Sequence, residues 1–164
     1  MSARQRGQLL SVLANPPLTN GLRTLRRVEM AAEVLGFGDS NVANLFAFPS
    51  HATGGIAVLG VDEEGWLTAR EKLQRSLVSA DGVLLAYGST APSGQARLHF
   101  GRQVEWLHAA IAERGLPAWQ VGNGPRHPSR WQRWTYRAHP SVPFADALRE
   151  SLVPVRTNST DAQH

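Results

Sequence analysis

Residues 124–130 read Gly124-Pro125-Arg126-His127-Pro128-Ser129-Arg130, a histidine between two prolines and close to two arginines. Proline fixes the backbone around it, and neighbouring cations disfavour an imidazolium, so His127 is expected to be neutral, with one ring nitrogen donating and the other accepting. The same tripeptide recurs at His139-Pro140-Ser141; the place after Gly122-Asn123-Gly124-Pro125 favours the first copy. The plain alternative is a loop histidine with no chemical task. From Arg126 to Arg137 there are four arginines and no acid, interleaved with Trp131, Trp134 and Tyr136. Guanidinium groups beside aromatic rings suit phosphate contacts and base stacking. They suit equally a solvated arginine face whose tryptophans pack the core, or a surface for an acidic protein; phosphate is the reading the composition favours.

Two amides stand in unusual places. Asn15 follows an apolar run and precedes Pro16-Pro17, where it is either a turn former or an amide at a pocket floor. Such an amide orients a water or stabilises a developing cation, but it is no general base at pH 7. Asn44 sits inside the apolar stretch Asn41 to Phe48. A buried amide must satisfy its polar atoms or cost a few kcal/mol, on the order of ~2. The side-by-side donor and acceptor match a nucleobase edge, as when Asn reads adenine.

Other chemistries are excluded or unsignalled. The 164 residues contain no cysteine, which removes disulfides, thiolate zinc, iron–sulfur clusters and a cysteine nucleophile. The six histidines show no ligand-pair spacing, and Asp62-Glu63-Glu64 reads as solvated, so no metal and no cofactor are expected. Phosphate-loop, dinucleotide and serine-elbow patterns are absent. Seventeen basic residues, all Arg except Lys72, against thirteen acidic give +4, a mild hint of an acidic partner. The apolar run after Arg4 and Arg6 is too short for an export signal, and no stretch reaches the roughly 20 apolar residues of a membrane helix. A soluble cytoplasmic protein with no membrane partner is the expectation, with oligomeric state unread.

The elements that position these residues follow from period. Leu9 to Ala14 reads as a buried strand stopped by Asn-Pro-Pro. Leu22 to Leu35 has apolar positions at three and four and closes at Gly36, an amphipathic helix. Asn41 to Phe48 reads as a second strand ended by Pro49. Residues 50–65 read as a Gly-rich connection holding one short strand candidate, Ile56 to Leu59. Trp66 to Val78 reads as helix, Val83 to Tyr87 as strand, Phe100 to Arg114 as helix and Ala118 to Val121 as strand. Alternating strands and crossover helices argue for a three-layer α/β/α domain over residues 1–153, with a central, mostly parallel sheet of about four strands and a fraying tail over 154–164. In such sheets ligands bind outside the carboxyl ends of the strands. The segments at Asn15-Pro16-Pro17, Asn44, Gly88-Ser89-Thr90 and Gly122 to Ser129 are therefore expected to converge on one pocket.

Taken in order, Asn15-Pro16-Pro17, Arg26-Arg27, Asn44-Leu45-Phe46, Ala86-Tyr87-Gly88 and Gly124-Pro125-Arg126-His127-Pro128 resemble the unknown-function family 1643 across about residues 9–145. The chain departs from that family's usual pattern at Pro17, Tyr87 and Ser129. The same order is more distantly similar to the uracil-DNA glycosylase superfamily. That resemblance implies a glycosylase-like fold, with Asn15 beside a hydrolytic water, Asn44 on the base edge, His127 on the departing base's oxygen and Ser129 on phosphate. Asn15 stands where many members carry a carboxylate, and Trp131 is the candidate wedge for base flipping.

The resulting expectation is a nucleobase-recognising protein whose ligand is nucleic acid, nucleotide or nucleoside, with hydrolysis of an N-glycosidic bond as its chemistry. Asn15 and His127 are the catalytic candidates, Asn44 and Phe46 the base-binding ones, and Ser89, Arg126, Ser129 and Arg130 the phosphate-binding ones. The alternatives are a non-catalytic nucleic-acid or nucleotide binder, and a scaffold presenting Trp131 and Trp134 as an exposed apolar patch.

Overall fold

The first strand is apolar on both faces because both are covered. In the computed structural model, which describes residues 7–17, 20–49 and 54–157, β1 (Gln8–Leu13) places Leu10 and Val12 in one buried cluster and Leu9 and Leu13 in another. Strand alternation sends successive side chains to opposite faces, so a strand buried on both sides reads as a continuous apolar run. The first cluster is closed by helices α3 (Glu64–Ser79) and α4 (Gln95–Arg114) through Trp66, Leu73, Leu77, Leu107 and Ile111. The second is closed by α1 (Leu22–Leu35), α5 (Trp131–Ala138) and α6 (Phe144–Ser151), through Val28, Ala31, Trp131 and Leu148. The architecture is α/β with helices on both faces.

The sheet has five strands in the order β2-β1-β3-β4-β5, where about four were expected, the short antiparallel β5 being the addition. β2 (Asp39–Asn44), β3 (Gly82–Leu85) and β4 (Ala118–Val121) run parallel with β1, and β5 (Leu152–Pro154) closes the far edge antiparallel to β4. β1 has β2 on one side and β3 on the other. The chain therefore leaves β1 in one direction and later returns on the opposite side, and the crevice at this switch point opens at the carboxyl ends of β1 and β3.

Helix α1 matches its sequence reading end to end. Asn20 Oδ1 accepts from the Leu22 N–H at its start, and the Gly36 and Phe37 N–H groups close its last turn. Three other expectations need correction. β2 stops at Asn44, so Leu45 to Phe48 lie beyond the strand and Asn44 is its last residue. The Leu45 and Phe46 amides still donate to Leu13 and Ala14, but the chain then turns inward to bury Phe46 against Trp66, ring centroids 4.8 Å apart. The stretch Ile56 to Leu59 is helical, within α2 (Gly54–Leu59), not a strand. Only Ile56 of the four is buried, and four consecutive apolar residues carry no period to separate the two states. The domain boundary expected after residue 153 falls inside β5, and the Val155 N–H still donates to the Ala118 carbonyl. Pro154 is tolerated there because an edge strand can lose a donor. Residues 158–164 of the expected tail lie outside the described residues.

One buried polar side chain ties the α3/α4 layer to the sheet. Gln103 on α4, 1% exposed, donates from Nε2 to the carbonyls of Leu45 (2.8 Å) and Trp66 (2.7 Å) and accepts from Arg70 Nε at 2.8 Å. The Leu45 carbonyl lies on irregular backbone past β2, while the Trp66 carbonyl, in the first turn of α3, takes this bond in addition to its place in the helix ladder. Gln103→Leu keeps the volume, strands the Leu45 carbonyl and takes the acceptor from Arg70 Nε, so it should lower unfolding free energy by about 1–3 kcal/mol in urea denaturation; a change below about 0.5 kcal/mol, the size of an ordinary surface substitution, would contradict this role.

Candidate functional site

The crevice at the switch point is a cavity of about 890 Å³. Its floor is the end of β1, Leu13-Ala14-Asn15, followed by Pro16 and Pro17. One side is the turn after β3, Tyr87-Gly88-Ser89-Thr90. Joined to that turn is the wall of Arg126, His127, Ser129 and Arg130, continued by Arg133, Trp134 and Arg137 of α5. Three of the four strand-end segments thus converge.

Two main-chain features set this shape. Gly88 has φ of 101°, a region that disfavours any side chain, and its N–H donates to the Pro125 carbonyl at 2.6 Å. Gly122 has φ of 71° and lies so close to Trp134 that an added Cβ would stand 2.5 Å from Cζ2 of the indole. The tight turn after β4 and the docking of α5 both need that bare backbone.

His127 is fixed by its own loop. The 3-10 turn Pro128–Arg130 begins on it, and its Nδ1 accepts from the Ser129 N–H at 3.1 Å while lying 2.9 Å from Ser129 Oγ. Accepting at Nδ1 leaves the proton of the neutral ring on Nε2. Burial, then the charges of Arg130 and Arg27, hold the imidazole below its ordinary pKa. The sequence expectation of a neutral histidine rested on the cations alone; desolvation is the larger cause.

Arg126 is the most constrained cation. Its guanidinium lies 5.2 Å from the centre of the Trp134 ring and donates to Asn123 Oδ1 at 2.9 Å, while Nε is shielded from solvent with no partner. Arg130, Arg133 and Arg137 complete a wall in which the described lining residues include no carboxylate. Opposite stand Ile56, Pro92, Tyr87 and Phe100, the last two edge to face at 5.9 Å. Tyr87 Oη lies 3.2 Å from His108 Nε2 on α4, and burial pushes the phenol up to about 12, so it stays neutral.

The other candidates fall as follows. Asn15 and Ser89 line the cavity, as do Arg126, His127, Ser129 and Arg130. Asn44 and Phe46 do not. Phe46 is fully buried between Trp66 and Phe48, so the core accounts for it completely. Asn44 ends β2 opposite Leu13, with Oδ1 buried and unpaired, and Val42 is the β2 residue that reaches the cavity. Trp131 is 0% exposed, with its indole N–H donated to the Arg126 carbonyl at 2.9 Å. It is a core residue under the arginine wall and is not placed to act as a wedge; its burial also takes it out of the patch a scaffold reading needs, leaving the half-buried Trp134 on the cavity.

Sequence reasoning missed Arg27, Tyr87 and Phe100. Arg27 on α1 donates to the Pro128 carbonyl at 2.8 Å and to Gln132 Oε1 at 3.0 Å, clamping the His-Pro-Ser loop from below. Its signal was the Arg26-Arg27 pair, which entered the family resemblance without being given a place at the site. Tyr87 and Phe100 looked like core, and they are core residues that also show an edge to the cavity.

Among the described residues no helix is long and apolar enough to cross a membrane, and no three metal-ligating side chains come together. Comparison of the chain with family models, curated proteins and solved structures gives no match.

The state of His127 is directly measurable. Because the folded ring gives up its proton more readily than the unfolded one, acidification protonates the unfolded chain first, and the stability this histidine contributes is present above pH 6.5 and lost as pH falls toward the folded value. An NMR titration should show a His127 midpoint below 6.5 and an Nε2–H tautomer, and Arg130→Gln should move the midpoint upward. A midpoint at or above 6.5 in the native protein would contradict the burial described here.

Proposed function

We propose that the cavity binds a nucleobase carrying phosphate, as a nucleotide or as a unit of nucleic acid. The observation that carries this reading is the division of the cavity into an arginine wall without carboxylates and an aromatic wall without charge. Guanidinium groups pair bidentately with phosphate oxygens, and in a partly dehydrated site such bonds are stronger than neutral ones. Ser89 and Ser129 add hydroxyls on the same side, and Tyr87 with Phe100 offers the apolar surface against which a base packs. The His127 Nε2–H is the donor for a base carbonyl oxygen. In this assignment Tyr87 and Phe100 take the place expected for Phe46.

A second reading is favoured by the neutral His127 donor: that the site also cleaves the N-glycosidic bond. On that path the sugar–base bond breaks with its electron pair leaving on the base, whose developing negative oxygen the Nε2–H stabilises. Water then adds to the sugar carbon and its proton passes to the base. Asn15 can orient that water but cannot deprotonate it, so the step depends on departure of the base rather than on base-activated attack.

Titration with nucleoside monophosphates and short single-stranded oligonucleotides, followed by tryptophan fluorescence through Trp134, tests the binding reading. Affinity should fall steeply with salt. Arg130→Gln and Arg133→Gln should each weaken binding on the order of tenfold, the value of one charge-assisted contact. Absence of binding at low salt would overturn the proposal. Mass spectrometry of the same samples decides the chemistry: free base that disappears in His127→Ala establishes cleavage, and binding without release establishes a binding module.

A further inference from the structure

A second hollow, of about 430 Å³, lies between α1 and the helices α5 and α6. Its floor is Leu22, Met30 and Phe144, and its rim is Arg23, Arg26 and Arg27 with Gln132. None of the described lining residues is acidic. Arg27 is engaged with Pro128 and Gln132 and lies 5.8 Å from the Phe144 ring centre. Arg23 and Arg26 have neither an ion pair nor a hydrogen bond with a described residue, although Glu29 and Glu33 share their helix; the one ion pair among the described residues joins Arg149 and Asp146. Three guanidinium groups in two helical turns repel one another. Burial and the charge of Arg23 already lower the Arg27 pKa. That arrangement favours a bound anion, and the apolar floor favours one that carries a flat or aliphatic group.

Arg27 connects the two pockets without lining the cavity. Its guanidinium lines the hollow, and two of its donors hold the loop that carries His127. An anion in the hollow would occupy its remaining donors and restrict its motion, and with it the motion of Pro128. Restricting one ligand's wall before a second ligand arrives reduces the ordering that the second must supply, which is positive coupling.

We propose that the hollow on α1 is a second binding site, for a phosphate monoester bearing an apolar group, and that its occupancy tightens the His127 cavity through Arg27. The existence of the second site is independent of what the cavity binds; the coupling rests on the nucleotide reading above. Phenyl phosphate is the probe, with inorganic phosphate as the comparison lacking the apolar part. In calorimetric titrations phenyl phosphate should show two saturable sites, and inorganic phosphate should bind the hollow more weakly. Arg23→Gln combined with Arg26→Gln, both exposed positions, should abolish one site and leave the other. Arg130→Gln combined with Arg133→Gln should do the reverse. If no phenyl phosphate site disappears in the α1 double variant, the second site is overturned whatever the cavity binds. With the hollow saturated, a nucleoside monophosphate should bind the cavity on the order of fivefold more tightly, at the low end of ordinary coupling. The α1 double variant should lose that gain. Unchanged or weakened nucleotide binding overturns the link through Arg27, and absence of nucleotide binding by any form counts against the cavity reading and removes the coupling with it, while the second site stands or falls on its own titration.

Discussion

The Gly88 N–H to Pro125 carbonyl bond and the Arg27 clamp on the Pro128 carbonyl bring two distant parts of the chain together. One fastens the loop after β4 to the turn after β3; the other fastens it to α1. Together with the Gly122 N–H bond to the Ser151 carbonyl and the Trp131 indole bond to the Arg126 carbonyl, they set how the segment 122–130 stands against the turn after β3 and against α1. Both bonds accept on main-chain carbonyls and use donors set by the sheet and the helix. The geometry of the cavity is therefore inherited from the switch point, where β1 has a neighbour on each side and the loops must part.

Electrostatics gives the cavity its character. Four arginines without a carboxylate among the described lining residues would be unfavourable in a closed, empty interior; here three stand on or beside exposed helix surface, and only Arg126 is held down, over Trp134. Trp131 beneath them makes the wall rigid by filling the second core cluster and donating its indole N–H to the Arg126 carbonyl. Burial, with the charges of Arg130 on the wall and Arg27 behind it, holds the His127 imidazole below its ordinary pKa, so a surface attractive to anions carries a neutral hydrogen-bond donor beside it.

The residues that were legible and those that were not differ by a physical criterion. Helix α1 could be read to its last residue because one face is buried and the other solvated, which writes a period of 3.6 into the sequence. β1 and β4 were legible as short apolar runs bounded by turn formers. α2 was not, since Ile56 to Leu59 is an apolar run in either state, and neither was the end of β2, where ladder-like hydrogen bonds outlast the strand. α5 was hidden by its own composition: its arginines and aromatics read as a ligand surface, whereas Trp131 and Thr135, one turn apart, are what the core uses.

The site divides in the same way. Sequence by itself determined the α/β alternation, the arginine cluster around a loop histidine and the exclusion of cysteine chemistry, because these depend on composition and on local spacing, whereas the burial that lowers the His127 pKa came from the fold. Only the tertiary structure decided that Phe46 and Trp131 are core and that Tyr87 and Phe100 face the cavity. It also took Asn44 off the wall and put Arg27 behind the loop. An apolar or amide side chain looks the same in sequence whether it meets a ligand or another side chain, and which of these it meets is fixed by contacts between residues dozens of positions apart.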